Sequence, residues 1–235
     1  MSQALMILVG TAATLGLVHT LVGPDHYLPF IAMSKARRWT MRRTVWITVL
    51  CGVGHVASSI VLGLIGIAAG ITLKRLELVE STRGEIAAWL LMAFGLLYLS
   101  WGIVRIFRDR KHTHSHLHAD GTRHEHVHTH ITSHTHPHDE TAKSLTPWVL
   151  FVVFVFGPCE PLIPLLMYPA AAESSWGIAL VAAVFAATTI ATMTTIVVLS
   201  AFGLGFLSAP RLARYGHAMA GATVFLCGVA IQLGL

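Results

Sequence analysis

The chain contains six apolar runs that are each long enough to cross a lipid bilayer, and this limits the possible folds more than any other feature. A transmembrane helix needs about 20 apolar residues. The runs cover residues 4–34, 45–72, 86–107, 147–171, 176–207 and 213–235. Only 11% of the residues are charged, whereas a soluble domain carries about 25%. The sequence therefore predicts an all-α polytopic membrane protein with six transmembrane helices. It excludes an ordinary soluble enzyme, and nucleic acid is not an expected partner, because the basic residues lie between apolar runs.

The distribution of Lys and Arg predicts the orientation in the membrane, because cytoplasmic loops are enriched in both. The first, third and fifth loops hold five, six and two of these residues, whereas the second and fourth hold three and none. We therefore expect the odd loops in the cytoplasm and both termini outside, in a protein of the cytoplasmic membrane. The N-terminus lacks a basic segment, so the first run is expected to be a retained span rather than a signal peptide.

An internal repeat relates the two halves of the chain. Residues 23–28 match residues 157–162 at an offset of 134, and residues 58–61 match residues 194–197 at an offset of 136. Three spans in each half invert the second copy relative to the first, an arrangement that many transporters build around a substrate site. The alternative is two unrelated Gly-Pro kinks. The predicted organisation is a first three-helix repeat at 1–108, a cytoplasmic His-rich flexible loop at 109–145 and a second three-helix repeat at 146–235.

Each copy of the repeat places a Gly-Pro pair inside an apolar run. Pro24 and Pro158 cannot donate a backbone N–H and crowd the carbonyl of the residue four positions earlier. Gly23 and Gly157 add backbone freedom at the same points. We therefore expect broken helices in runs 1 and 4, with the freed backbone groups buried in protein or lining a wet cavity.

Four ionisable side chains in the first half are candidates for a metal site. They are His19, Asp25, His26 and His55, and a charged group at a helix centre costs about 2.5–3.5 kcal/mol. His19 and His26 share a helix face but would lie about 10 Å apart along an unbroken helix, and the break can bring them closer. Asp25 is either an oxygen ligand or a partner that orients the neighbouring imidazole. The alternative is that each histidine is a satisfied polar residue that bridges helices.

Two candidates come from the second half. Glu160 is the repeat counterpart of His26, so we expect both to face one central cavity. Cys159 is either a soft ligand or, as is usual for a lone cysteine in an apolar run, a small buried hydrophobe. Imidazoles with one or two carboxylates suit nickel, cobalt, zinc, iron or copper without distinguishing among them.

The third loop holds 11 of the 15 histidines. Such His-rich tracts are typical of low-specificity metal binding, and the segment has too few apolar residues to fold alone. The alternative is a solvated, pH-sensitive linker. The candidate loop ligands are His112, His114, His116, His118, His124, His126, His128, His130, His134, His136 and His138.

The motif from Gly16 to His26, which contains His19 and the Asp25-His26 pair, resembles the NicO/UreH-like nickel/cobalt transporters of the broad LysE-like superfamily. The resemblance extends to the six spans and the His-rich loop. It implies transport of divalent nickel or cobalt, with His19, Asp25 and His26 as the matching metal-handling residues. The spacing departs by one residue from that of the nickel/cobalt permeases. The segment around Cys159 also resembles the thiol electron carriers of the same superfamily, but these use one cysteine per repeat, and the first repeat has Asp25 instead.

The sequence therefore predicts a secondary transporter of divalent transition-metal ions, with Ni²⁺ or Co²⁺ as the expected substrate and protons as a plausible coupling ion. The expected partners are membrane lipid and the metal ion; no enzyme activity and no tightly bound cofactor are expected. The alternatives are a membrane thiol-redox or electron-carrier protein that uses Cys159, a transporter of Zn²⁺ or Mn²⁺, and a membrane enzyme with a His-ligated metal. The direction of transport and the oligomeric state stay open.

Overall fold

The computed structural model describes residues 2–108, 112–117, 123–128, 145–168, 175–205 and 214–234. Eight α-helices, one 3-10 turn and one β-hairpin are the regular elements of the described part of the chain. In chain order the helices are α1 (Gln3–Val22), α2 (Leu28–Ala36), α3 (Met41–Ala68), α4 (Leu73–Arg108), α5 (Thr146–Phe156), α6 (Leu162–Met167), α7 (Ser175–Gly205) and α8 (Gly216–Gln232).

The structure bears out a helical membrane protein. Within the described residues, α1, α3, α4 and α7 are long and apolar enough to cross a bilayer, and α5 and α8 are shorter apolar helices. Many large apolar side chains lie on the outer surface of the bundle, among them Trp46 and Leu97. Such a surface suits a lipid environment, in which apolar side chains face hydrocarbon.

Both Gly-Pro pairs interrupt a helix. The first helix ends at Val22, and a single 3-10 turn over Pro24–His26 leads into α2. In the second half, α5 ends at Phe156, and α6 begins only at Leu162. The physical reason is the same in both places, because proline removes an N–H donor and clashes with the preceding turn.

The fourth helix begins well before the apolar run that predicted it. The run starts at residue 86, whereas α4 starts at Leu73. The additional turns contain Glu80 and Arg83, which form an ion pair of 2.6 Å one helical turn apart. Because each charge neutralises the other, the helix continues through a segment that looks like a loop in the sequence.

Helices from the two halves pack against each other in pairs. The first helix contacts α7, α3 contacts α5, and α4 contacts α8. The last pair approaches closely at Gly95 and Gly221, where a Cβ atom would collide with the backbone of Phe225 and Leu99 respectively. Small residues allow this kind of backbone approach between membrane helices. The buried apolar side chains of the described residues form two core clusters, one around Phe30 and one around Phe185.

Part of the His-rich loop forms a hairpin. The strands β1 (His112–Leu117) and β2 (Arg123–His128) pair in antiparallel register, with His114 opposite His126. The other residues of the predicted flexible loop, which are 109–111, 118–122 and 129–144, lie outside the described residues. The expected metal binding by this loop stays a prediction.

Candidate functional site

The break in the first half brings two histidines together. At the end of α1, the N–H of Gly23 donates to the carbonyl oxygen of His19 at 3.0 Å. The chain then turns through the 3-10 segment, so that His26 points back toward the helix it has left and is only 3% exposed. The ring centroids of His19 and His26 lie 4.6 Å apart, less than half of their separation along an unbroken helix.

A third imidazole, that of His55 in α3, completes the group. Its ring centroid lies 5.0 Å from that of His26 and 6.4 Å from that of His19. One nitrogen from each ring lies within 4.8 Å of the other two. Three different elements therefore deliver three imidazoles to one point in the interior of the bundle.

Hydrogen bonds at Nδ1 fix two of the three rings. The Nδ1 of His26 lies 3.2 Å from the carbonyl oxygen of Gly23 and 3.2 Å from Oδ1 of Asp25. The Nδ1 of His55 lies 3.2 Å from the carbonyl oxygen of Phe154. A carbonyl oxygen only accepts, so each neutral ring carries its proton on Nδ1 and presents a lone pair on Nε2. The Nε2 atoms of all three histidines are buried without a hydrogen-bond partner among the described residues.

Gly23 and Gly157, the glycines at the two helix breaks, lie directly against the rings of this group. A Cβ atom on Gly23 would lie 2.6 Å from Nδ1 of His26, and one on Gly157 would lie 2.9 Å from Nδ1 of His55. Real Cβ atoms do not approach a ring nitrogen that closely. Each Gly-Pro pair therefore both breaks a helix and leaves room for one imidazole.

The break in the second half is held by a buried ion pair. Cys159 is fully buried, and its backbone N–H donates to Oε2 of Glu80 at 3.3 Å. Arg83, which pairs with Glu80, donates to the carbonyl oxygen of Val155 at 2.8 Å and to Oγ of Ser58 at 2.6 Å. The ion pair thus binds the N–H of Cys159 and the carbonyl oxygen of Val155, two backbone groups that the interruption of the helix leaves without a helical partner.

A cavity of about 620 Å³ lies beside this second break. Its walls include Glu160 and Pro161, the two residues that follow Cys159 in the chain, together with Glu80. Lys74 and Glu77 from the first turns of α4 line its rim. The cavity therefore borders the residues that follow Cys159 and the first turns of α4.

The sequence-based candidates divide between these places. His19, His26 and His55 form one group, and Asp25 contacts His26 from outside the group. Contrary to expectation, Glu160 does not share a central cavity with His26; its side chain is exposed and lines the cavity at the second break. The sulfur of Cys159 is not among the clustered ligands of the described residues either.

Sequence reasoning missed the ion pair of Glu80 and Arg83. It counted Arg83 among the three basic residues of the second loop, because the next apolar run begins only at residue 86. The spacing of three residues between opposite charges, next to a span, is the signal that could have identified an intrahelical pair.

The family comparison corrects the expected family. The model of the cytochrome c biogenesis protein transmembrane region matches residues 27–230. The expected membership of the NicO/UreH-like nickel/cobalt transporters is wrong. The motif that carried that resemblance ends at His26, before the matched region, and the six spans and the His-rich loop to which the resemblance extended did not identify the family. No curated protein and no solved structure matches the chain.

Proposed function

We propose a function from one premise, that this chain belongs to the family of the cytochrome c biogenesis protein transmembrane region. Membership of this family supports a membrane thiol-redox or electron-carrier function, and it favours that alternative over the transport of nickel or cobalt. The protein is therefore proposed to pass reducing equivalents across the membrane between thiol partners.

Cys159 carries this proposal. It lies in the non-helical segment between α5 and α6, inside the region that matches the family. The backbone N–H of Cys159 binds the side chain of Glu80 instead of a carbonyl of the preceding helical turn. The cavity beside Glu160 and Pro161 gives a partner protein a place from which to reach this segment. Because the cysteine is fully buried, exchange requires the segment to move toward the cavity.

Cys159 is the one cysteine at a helix break among the described residues, and this sets the form of the chemistry. Cys51 and Cys227 belong to the core cluster around Phe30, whereas Cys159 belongs to the cluster around Phe185, and all three are free thiols. The thiolate of Cys159 would attack a disulfide of an acceptor protein, forming a mixed disulfide and releasing one acceptor thiolate. A donor thiolate would then attack the sulfur of Cys159, releasing the second acceptor thiolate. A second donor thiol finally regenerates Cys159, so one donor dithiol is oxidised for each acceptor disulfide reduced.

The finer architecture is part of the proposal. We propose six spans arranged as two inverted three-helix halves, with the odd loops in the cytoplasm. The exchanged packing supports this arrangement, because α1 of the first half contacts α7 while α5 of the second half contacts α3. The third helices of the two halves, α4 and α8, contact each other, which is compatible with a two-fold relation between the halves.

Thiol exchange in proteoliposomes tests the function. The full chain is reconstituted with a dithiol donor on one side and a disulfide acceptor on the other, and free thiols are trapped by alkylation. We expect transfer above that of protein-free vesicles and a trapped mixed disulfide at Cys159. Cys159→Ser should abolish both, whereas Cys227→Ser, which removes another buried thiol, should retain them. Equal transfer by the wild type and by Cys159→Ser would show that the thiol is not the carrier.

A further inference from the structure

We propose that His19, His26 and His55 form a binding site for one transition-metal ion inside the bundle, separate from the thiol at the second break. Three imidazoles from α1, the 3-10 turn and α3 supply the ligands through their Nε2 atoms. The ion belongs to the class that prefers imidazole nitrogen, which includes copper, zinc, nickel and cobalt. This site does not depend on the redox function proposed above.

The unpaired nitrogen atoms are the first support for this site. The carbonyl oxygens of Gly23 and Phe154 hold the protons of His26 and His55 on Nδ1, so both Nε2 lone pairs face the group. The Nε2 of His19 is also buried without a partner among the described residues. An unpaired buried polar group costs about 1–3 kcal/mol, and three at one point would be a large penalty unless a ligand binds them. A set of helix-bridging histidines would have paired these nitrogens with neighbouring helices.

The distances are compatible with an ion after a small adjustment. Zinc binds histidine nitrogen at about 2.0–2.1 Å, which places tetrahedral ligand nitrogens about 3.3 Å apart. The ligand nitrogens now lie within 4.8 Å of one another, so the longest separation has to shorten by about 1.5 Å. Rotation of the His19 side chain, whose ring forms the longest of the three ring separations, supplies such a shift without movement of the backbone.

The charges near the group set the class of ion. The clustered ligands of the described residues are three neutral nitrogens with no carboxylate among them, whereas Mg²⁺ and Ca²⁺ require oxygen ligands. Asp25 contacts the Nδ1 side of His26 at 3.2 Å, which is the position from which a carboxylate raises the basicity of a metal-bound imidazole. Its negative charge also compensates one positive charge of the ion. Three protein ligands leave a fourth position for an exchangeable ligand.

Zinc binding to the full chain tests the site. Purified protein is dialysed against a chelator-buffered series of free Zn²⁺, and bound zinc is measured per chain. The His-rich loop is present in every variant, so differences between variants report the buried site. We expect one tight equivalent in the wild type, its loss in His26→Gln and His55→Gln, and displacement by Cu⁺ but not by excess Mg²⁺. The matched control is His217→Gln, because His217 lies in α8 and contacts Tyr98 instead.

Asp25→Asn separates the supporting role from direct ligation. This variant should weaken the tight site by about 10–100-fold while the stoichiometry stays at one. If His55→Gln fails to fold, as judged by its elution and thermal unfolding, His19→Gln decides, because the described residues give the ring of His19 no hydrogen bond to a carbonyl oxygen, unlike the rings of His26 and His55.

The proposal is overturned if the tight equivalent survives all three histidine substitutions or disappears equally in His217→Gln. Because thiol exchange is not measured in this experiment, its outcome is independent of the test of Cys159. A protein without thiol transfer can still bind the ion, and a protein with thiol transfer can lack the site.

Discussion

The Nδ1 of His55 in α3 and the carbonyl oxygen of Phe154 at the end of α5 lie 3.2 Å apart, although they belong to different halves of the chain. The next carbonyl along, that of Val155, accepts from Arg83 in α4 at 2.8 Å. Side chains of the first half thus contact two successive carbonyls at the end of α5, of which that of Phe154 also accepts from the N–H of Gly157 at 3.0 Å. The break at Gly157 and Pro158 therefore also orients a histidine of the other half.

Substitution of the break glycines should damage the three-histidine group. A Cβ atom on Gly23 would lie 2.6 Å from the imidazole of His26, so Gly23→Ala should displace that ring and weaken tight zinc binding about tenfold or more. The control is Gly10→Ala, since nothing lies within 4 Å of a Cβ at that position. Zinc dialysis of both variants measures the difference, and an unchanged affinity in Gly23→Ala would contradict the close packing of the ring.

Removal of one partner of the buried ion pair should destabilise the protein. Glu80 is 1% exposed, and Arg83→Gln leaves its carboxylate buried without compensation, which costs about 3–5 kcal/mol. The double variant Glu80→Gln/Arg83→Gln removes both charges and should recover part of this loss. Denaturant unfolding in detergent measures the free energy of unfolding, with Arg75→Gln on the exposed face of α4 as the control. If the single and double variants lose the same free energy of unfolding, the buried carboxylate of Glu80 is not stabilised by the charge of Arg83.

Cysteine labelling should establish the orientation. In a background without the native cysteines, Glu77→Cys should react with an impermeant maleimide added from outside, because it lies in the poorly basic second loop region. Arg42→Cys should react only after the membrane is permeabilised. Both positions are exposed in the structure, so access to the side chain does not limit either reaction. The reverse labelling pattern would invert the proposed topology.

The close contact of α4 and α8 should be sensitive to a single methyl group. A Cβ atom on Gly95 would collide with the backbone of Phe225, so Gly95→Ala should separate the helices and cost about 1–3 kcal/mol. Gly203→Ala is the control, because a Cβ there meets nothing within 4 Å. Thermal unfolding in detergent compares the two, and equal stability would mean that the helices pack less closely than described.

The nature of the fold could be predicted from the sequence. Runs of apolar residues dictate helices because backbone groups in lipid must be satisfied within the segment. The breaks after Val22 and Phe156 follow from Pro24 and Pro158, whose lost N–H groups are a local property. The approach of His19 to His26 could likewise be predicted from the sequence, because the two residues lie on either side of the same helix break. The motif from Gly16 to His26, however, led to the wrong family. A few residues carry less information about the family than a match over most of the chain.

Long-range contacts decided the rest, because they depend on how the helices pack rather than on any one segment. The sequence alone placed His55 among the candidates, but only the packing of the helices, with α1 and α3 both against α7 and α3 also against α5, brought it to the other two histidines. Packing likewise turned Glu160 away from them, although the repeat predicted a shared cavity. The pair of Glu80 and Arg83 became a structural element only when α4 extended to Leu73 and carried both charges against the second break. Local chemistry thus determined where helices form and break, and tertiary packing determined which polar groups meet.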